Sequence, residues 1–163
     1  MNIEFEPLGA GHRSAVMRIF NYYVENSFSA FPERALPEPF FEIIIQKIQG
    51  YPAYAAKDDG TVAGFCFLSP YSPMDAFRET AAITYFIAPE YTARGIGGLA
   101  LSKLIDDARE IGIRNILAEI SSKNEASLAF HRKHGFKHCG TLAGVGKKHG
   151  QPFDMVFMQK VIS

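Results

Sequence analysis

Cysteine is scarce: Cys66 and Cys139 are the only two in 163 residues, far apart and outside any Cys-x-x-Cys or Cys/His cluster. That spacing argues against a disulfide framework and a structural zinc site, so no metal is expected. Net charge is also missing, with 17 Lys and Arg set against 17 Asp and Glu. A general binder of nucleic acid or anionic membrane needs a basic excess, so neither partner is expected. Any anionic ligand must be met by a local patch. No apolar run approaches the roughly 20 residues that span a bilayer, and the first residues lack a signal-peptide core. These absences predict a cytoplasmic protein. No internal repeat or low-complexity tract is present either, which excludes a solenoid.

What is there is a globular balance of 47% apolar and 21% charged residues, at a length that fits one domain over 1–163. Residues 2–7 alternate like a strand. From Ala10 to Glu25, Val16, Ile19, Phe20, Tyr23 and Val24 recur at helical spacing. Asn26–Leu36 breaks that period and reads as a loop carrying aromatics. Pro37 suits a first helical position for a second helix that stops at Gly50. Two strand-like runs, 52–57 and 61–69, flank Asp58-Asp59-Gly60, a strong hairpin signal. A strand over 78–88, a helix ending before Gly112, and a strand over 114–121 form a strand–helix–strand unit whose strands should be parallel. A short helix from about Asn124 to His134 and two last strands complete the chain. The order predicts an α/β fold with a mixed, mostly antiparallel sheet, one parallel pair and flanking helices.

Between a strand and a helix lies Arg94-Gly95-Ile96-Gly97-Gly98. Glycines let backbone N–H groups approach a ligand closely, and a helix N-terminus adds positive potential, a combination suited to phosphate. A glycine-rich helix start without a ligand is the alternative. The turn does not end in Gly-Lys-Ser/Thr, so it is no P-loop. It satisfies Gly95-x-Gly97-x-x-Ala100 of the dinucleotide fingerprint, with Glu119 downstream. That reading fails on context, since Pro89–Arg94 separate the glycines from their strand and only one βαβ unit is present.

The run ITYFIAPEYTARGIGG resembles motif A of the GNAT superfamily of acetyl-CoA-dependent acyltransferases, with Thr92 standing where Gln or Arg is usual. Asn124-x-x-Ser127-x-x-x-His131-x-x-x-Gly135-Phe136 is similar to that superfamily's downstream cofactor-binding helix. Tyr23-Val24-Glu25-Asn26-Ser27, Ala76-Phe77-Arg78-x-Thr80 and Gly146-Lys147-Lys148-x-Gly150-x-x-x-Asp154 look like the phosphinothricin and methionine-sulfoximine acetyltransferases. The resemblance implies a GNAT-like sheet whose parallel strands splay apart, acetyl-CoA as cofactor, a small amino-acid-like amine as acceptor, and a homodimer. Aromatic-rich final strands and loop 26–35 offer apolar surface for the last.

On this reading the backbone at Ala93, Arg94, Gly95, Ile96, Gly97 and Gly98 holds the pyrophosphate, and the edge at Tyr85-Phe86-Ile87 holds the pantetheine arm. The likeness puts Asn124 on the arm and Lys133 near the nucleotide. Lys103, Arg132 and Lys137 are ordinary helix charges or local counter-charge. His131 is either the acid that protonates the thiolate or a hydrogen-bonded helix histidine. Ala82 occupies the position where the phosphinothricin-like families carry a glutamate base. Glu119, on the neighbouring strand in an otherwise apolar run, is the expected replacement, half-buried and held above the usual carboxylate range; a sheet carboxylate paired with Arg114 is the alternative, and Glu25 and Glu79 are further candidates. Phe28, Phe31, Asp75, Ala76, Phe77 and Arg78 are the expected substrate pocket, with Arg78 gripping a carboxylate. Two other functions stay open: an acyl-CoA-binding module or sensor with little catalysis, and a peptide or protein N-acetyltransferase.

Overall fold

The computed structural model describes residues 1–163. Strand β1 (Ile3–Pro7) leads through a 3-10 turn at Ala10–His12 into helix α1 (Arg13–Asn26). Helix α2 (Phe40–Lys47) follows, capped by Pro39. It starts later than the prolines suggest, because the Pro37 carbonyl accepts from Phe40 N–H in a preceding turn. Strands β2 (Ala53–Asp58) and β3 (Thr61–Pro70) form the expected hairpin. Its two turn residues, Asp59 and Gly60, sit at φ +45° and +85°. Two positive φ values in succession match the right-handed twist of the strands, and Gly meets the second at no steric cost.

Strand β4 (Thr80–Ile87), helix α3 (Ile96–Glu110) and strand β5 (Asn115–Ser121) make the strand–helix–strand unit. Helix α4 (Glu125–Lys133) and strands β6 (Lys137–Lys148) and β7 (Gln151–Val161) end the chain. The seven strands lie in the order β1-β2-β3-β4-β5-β7-β6, and β4–β5 is the parallel pair. The fold is therefore mixed α/β with a mostly antiparallel sheet, as the element order predicts.

Alternation along β3 divides the core. Phe65 and Phe67 face α1 and α2, where they meet Val16, Ile19, Phe41 and Ile44. Cys66 and Leu68 face α3, with Leu101, Leu104 and Ile105. Leu104 is fully buried, and truncating it to Ala removes about 2–5 kcal/mol of stability. The parallel ladder is brief: Thr80, Ala81 and Ala82 pair with Asn115, Ile116 and Leu117, and there it stops. Beyond it β4 stays with β3 as far as Ile87–Gly64, while β5 stays with β7 as far as Ser121–Met155. The sheet opens into a wedge between them.

Candidate active site

That wedge is the mouth of a cavity of about 1280 Å³, walled by β4, the start of α3, α4 and the α1–α2 side. Antiparallel pairing decides which groups of β4 reach it. Ala88 N–H donates to Ala63 C=O, so alternate residues Phe86, Thr84 and Ala82 turn their main-chain groups to β3. Tyr85 and Ile87 present theirs to the gap, where the Ile87 carbonyl accepts from the Tyr23 hydroxyl. The expected edge is corrected in one member: Phe86 lines the cavity with its ring, but its backbone faces β3.

Ala93 and Gly95 both adopt left-handed backbone, at φ +61° and +85°. The bend leaves the amides of Ala93, Arg94 and Gly95 without a protein acceptor, and those of Ile96, Gly97 and Gly98 are free as the first of α3, whose ladder begins at Leu99 N–H to Gly95 C=O. The left-handed alanine costs about 1–2 kcal/mol, a strain of the kind that persists at ligand sites. Successive free N–H groups at a helix start form a concave cradle for an anion. A Cβ on Gly97 would lie 3.4 Å from the Phe130 ring, and one on Gly98 3.4 Å from His134 Nε2, so a methyl would just touch its neighbour and anything larger would have to displace it. A diphosphate with a long amide-bearing arm fits this cradle and the adjoining β4 edge. The Arg94 side chain turns away over the Tyr91 ring, at 5.3 Å.

His131 is 4% exposed, and both ring nitrogens are engaged. A carbonyl only accepts, so the 2.7 Å contact to Ser127 C=O assigns the proton to Nδ1. Nε2 then accepts from the Tyr85 hydroxyl at 2.5 Å. Burial holds His131 below the ordinary histidine value, with His134 adding to the shift against the opposing Ser127 bond. Burial likewise raises Tyr85 above the ordinary phenol range, so its O–H stays on as the donor. On β3, burial pushes the Cys66 thiol up to about 12, out of nucleophilic chemistry.

The cavity wall brings together Tyr85, Phe86, Ile87, Ala93, Gly95–Gly98, Glu119, Asn124, His131, Lys133 and Phe31. Glu119 shares the Ala82 face of the sheet, one alternation beyond Leu117, but it is exposed rather than half-buried. Divergence of β4 from β5 leaves nothing over it. Phe28, Asp75, Ala76, Phe77 and Arg78 are not part of the wall. Residues 75–77 form an exposed 3-10 turn in which Arg78 Nη1 donates to Asp75 C=O and Phe77 rests on Tyr71. Phe28 packs edge-on against Phe153 instead. Glu25 and Glu79 also lie off the wall, and Lys103 is held by Asp107.

Three contributors escape a reading of the sequence. Lys47, at the C-terminal end of α2, is a cation on the α1–α2 side of the cavity. Ser29 lines it and accepts from Asn124 Nδ2 at 3.0 Å. Lys148 is 1% exposed and donates to the carbonyls of Ser27 and Ala30, each at 2.6 Å, pinning the loop that carries Ser29 and Phe31. Its tail motif marks the position; main-chain acceptors leave no trace in sequence.

The sequence pattern of the acetyltransferase (GNAT) family matches residues 16–136. The L-amino acid N-acyltransferase MnaT of Escherichia coli is 30% identical over 150 residues, covering 90% of this chain and 86% of that protein. Among solved structures, a phosphinothricin acetyltransferase of Sinorhizobium meliloti in complex with acetyl-CoA superposes with TM-score 0.92 at 28% identity, over 99% of this chain and 89% of that one. A ribosomal-protein-alanine N-acetyltransferase of Brucella melitensis superposes with TM-score 0.91 at 31% identity, over 99% of each chain.

Proposed function

Because the chain belongs to the acetyltransferase (GNAT) family, we propose that it moves an acetyl group from acetyl-CoA to the α-amine of a small, apolar amino acid or analogue. The run of six unpartnered amides, Ala93–Gly98, opening on the wedge beside β4 carries this reading. Those amides hold the pyrophosphate, the Tyr85 and Ile87 main chain holds the arm, and Lys133 adds charge at the nucleotide end. Acetyl-CoA supplies the activated thioester, with the Tyr85 N–H placed to stabilise a developing oxyanion.

The acceptor end is built from Phe20, Phe31, Phe40, Ile43 and Ile44, with Lys47 as its cation. Apolar walls suit an apolar side chain, and Lys47 takes the carboxylate role that Arg78 is too remote to fill. The α-amine of an amino acid or of a peptide N-terminus titrates above neutrality, so at neutral pH it arrives as the ammonium and must lose a proton before it attacks. Exposed Glu119 takes that proton and releases it to solvent.

The likeness to an alanine-terminal protein acetyltransferase favours a second acceptor, a peptide N-terminus, which presents the same α-amine. Thiol release from acetyl-CoA across common amino acids, methionine sulfoximine, phosphinothricin and an Ala-terminated peptide tests both. Turnover confined to the peptide favours the second acceptor. Binding without turnover on any amine overturns both and leaves the sensor that Ala82 suggests.

The protein works as a homodimer in the cytoplasm on this reading. Leu142 and Val145, 50% and 58% exposed on edge strand β6, supply apolar surface, and neither cysteine is bridged. No helix is long and apolar enough to cross a membrane. A monomer mass by light scattering at micromolar concentration would count against the dimer.

A further inference from the structure

The mechanism above accounts for one proton and leaves another. After an amine attacks, its nitrogen still carries a proton that the amide product lacks, while the departing sulfur needs one. Ala82 has no group to move it, and Glu119 faces solvent on the other side of the wedge. The buried pair at Tyr85 and His131 has no structural need to be polar. Tyr85 packs edge-on to Phe130, and His131 edge-on to Phe130 and Phe136, in surroundings that aromatic rings alone would fill.

We propose that Tyr85 Oη and His131 Nε2 form a proton relay that takes the second proton from the acylated nitrogen and returns it to the thiolate. This rests on the acetyl-transfer reading. Tyr85 is on the cavity wall beside the strand edge of β4, and its hydroxyl keeps a lone pair free while its O–H donates to Nε2. As the C–N bond forms and the C–S bond breaks, Tyr85 Oη accepts the N–H proton while its own passes to Nε2. The imidazolium is held through Nδ1–H by the Ser127 carbonyl, 2.7 Å away, with Ser127 Oγ at 3.2 Å. The reverse shift lets Tyr85 Oη deliver one proton to the sulfur. Acetyl has crossed from sulfur to nitrogen and one proton from nitrogen to sulfur, with Tyr85 and His131 restored.

A relay needs an imidazole that is neutral at rest and gives its proton back readily. The groups around it favour that state. His134, the C-cap of the same helix, opposes its charging, Lys160 of β7 is occupied by the His134 carbonyl, and Cys66 on β3 stays a neutral thiol. No carboxylate contacts the ring.

The test compares Tyr85→Phe and His131→Gln with the parent in steady-state thiol release on the best amine of the panel, with acetyl-CoA affinity by calorimetry. Each variant should lose about 10²-fold or more in kcat, the scale of a lost acid–base group, with affinity nearly unchanged. The double variant should be no slower than the worse single one, because both break one path. The deficit should persist above the titration of the amine itself, where the amine is already neutral. The parent's kcat should also fall on the acid side as His131 becomes charged, a limb missing in His131→Gln. Normal kcat in folded Tyr85→Phe overturns the relay and leaves acetyl transfer standing. A deficit that vanishes once the amine is neutral assigns the pair to the first proton and overturns it too. A parent that binds acetyl-CoA yet acetylates nothing removes the transfer reading and the relay together.

Discussion

Asn124 grips both sides of the cavity at once: its Oδ1 accepts from Ser127 N–H at 3.2 Å while its Nδ2 donates to Ser29 Oγ at 3.0 Å. The first bond caps α4, and the second ties that helix to the loop after α1. Asn124→Ala should therefore lower stability by about 1 kcal/mol through the lost cap. Thermal unfolding measures that part. Kinetics should show a raised KM for the amine as well as for acetyl-CoA, because Ser29 is released; an amine KM that stays put would separate the loop from the cap.

Gly97 is predicted to be the most sensitive point of the donor site. Replacing it with Leu pushes branched carbon into the Phe130 ring and across the free amides of the cradle. Acetyl-CoA binding by calorimetry should become undetectable while the circular dichroism spectrum is retained. A folded Gly97→Leu protein that binds normally would remove the pyrophosphate assignment.

Glu119→Gln keeps the shape of the side chain and removes its basic oxygen. At pH 7 kcat/KM should drop about 10²-fold. Above the titration of the amine itself no base is needed, so the deficit should shrink as pH rises through it. This is the reverse of what the Tyr85 variant shows, and running both profiles on one substrate separates the two protons.

Stability should also report on His131. Its folded value lies below the ordinary 6.5, so between those two values the unfolded chain takes up a proton that the folded chain refuses. Unfolding free energy should fall as pH drops through 6.5 and level off once the folded imidazole charges too. Above 6.5 this group contributes no slope. In His131→Gln the slope between pH 6.5 and the folded value should be gone, measured by urea midpoints at several pH values.

Much of the fold is legible from residue periods and turn chemistry. Val16, Ile19, Phe20, Tyr23 and Val24 announce α1, Asp59-Gly60 announces its hairpin, and Arg94–Gly98 announces the turn of free amides that opens α3. Each is a local signal. What escapes is set by non-local geometry. The exposure of Glu119 follows from β4 and β5 parting after Ala82–Leu117, and no alternation within either strand encodes where two strands part. Arg78 has the right chemistry beside the right strand, yet a 3-10 turn carries it off the wall. Lys47 reads as ordinary solvated helix charge until α2 is laid against the sheet. Tyr85 is visible as a strand residue, but its hydroxyl finds His131 only across 46 residues.

Lys148 and Ser27 are separated by 121 residues, and the Phe31 ring is stacked on Phe153. A chain growing on the ribosome exposes its N-terminal part first. The segment around Ser27–Phe31 emerges early and gains Asn124 with α4, but Lys148 and Phe153 reach it only once the last hairpin has been synthesised. The glycine cradle and its helix lie well upstream of that hairpin and do not wait for Lys148. The wall that carries Ser29 and Phe31 is thus among the last surfaces to be completed, so a chain released a few residues short of Lys148 leaves the ribosome with its glycine turn and α3 encoded but the Ser27 and Ala30 carbonyls without their ammonium donor.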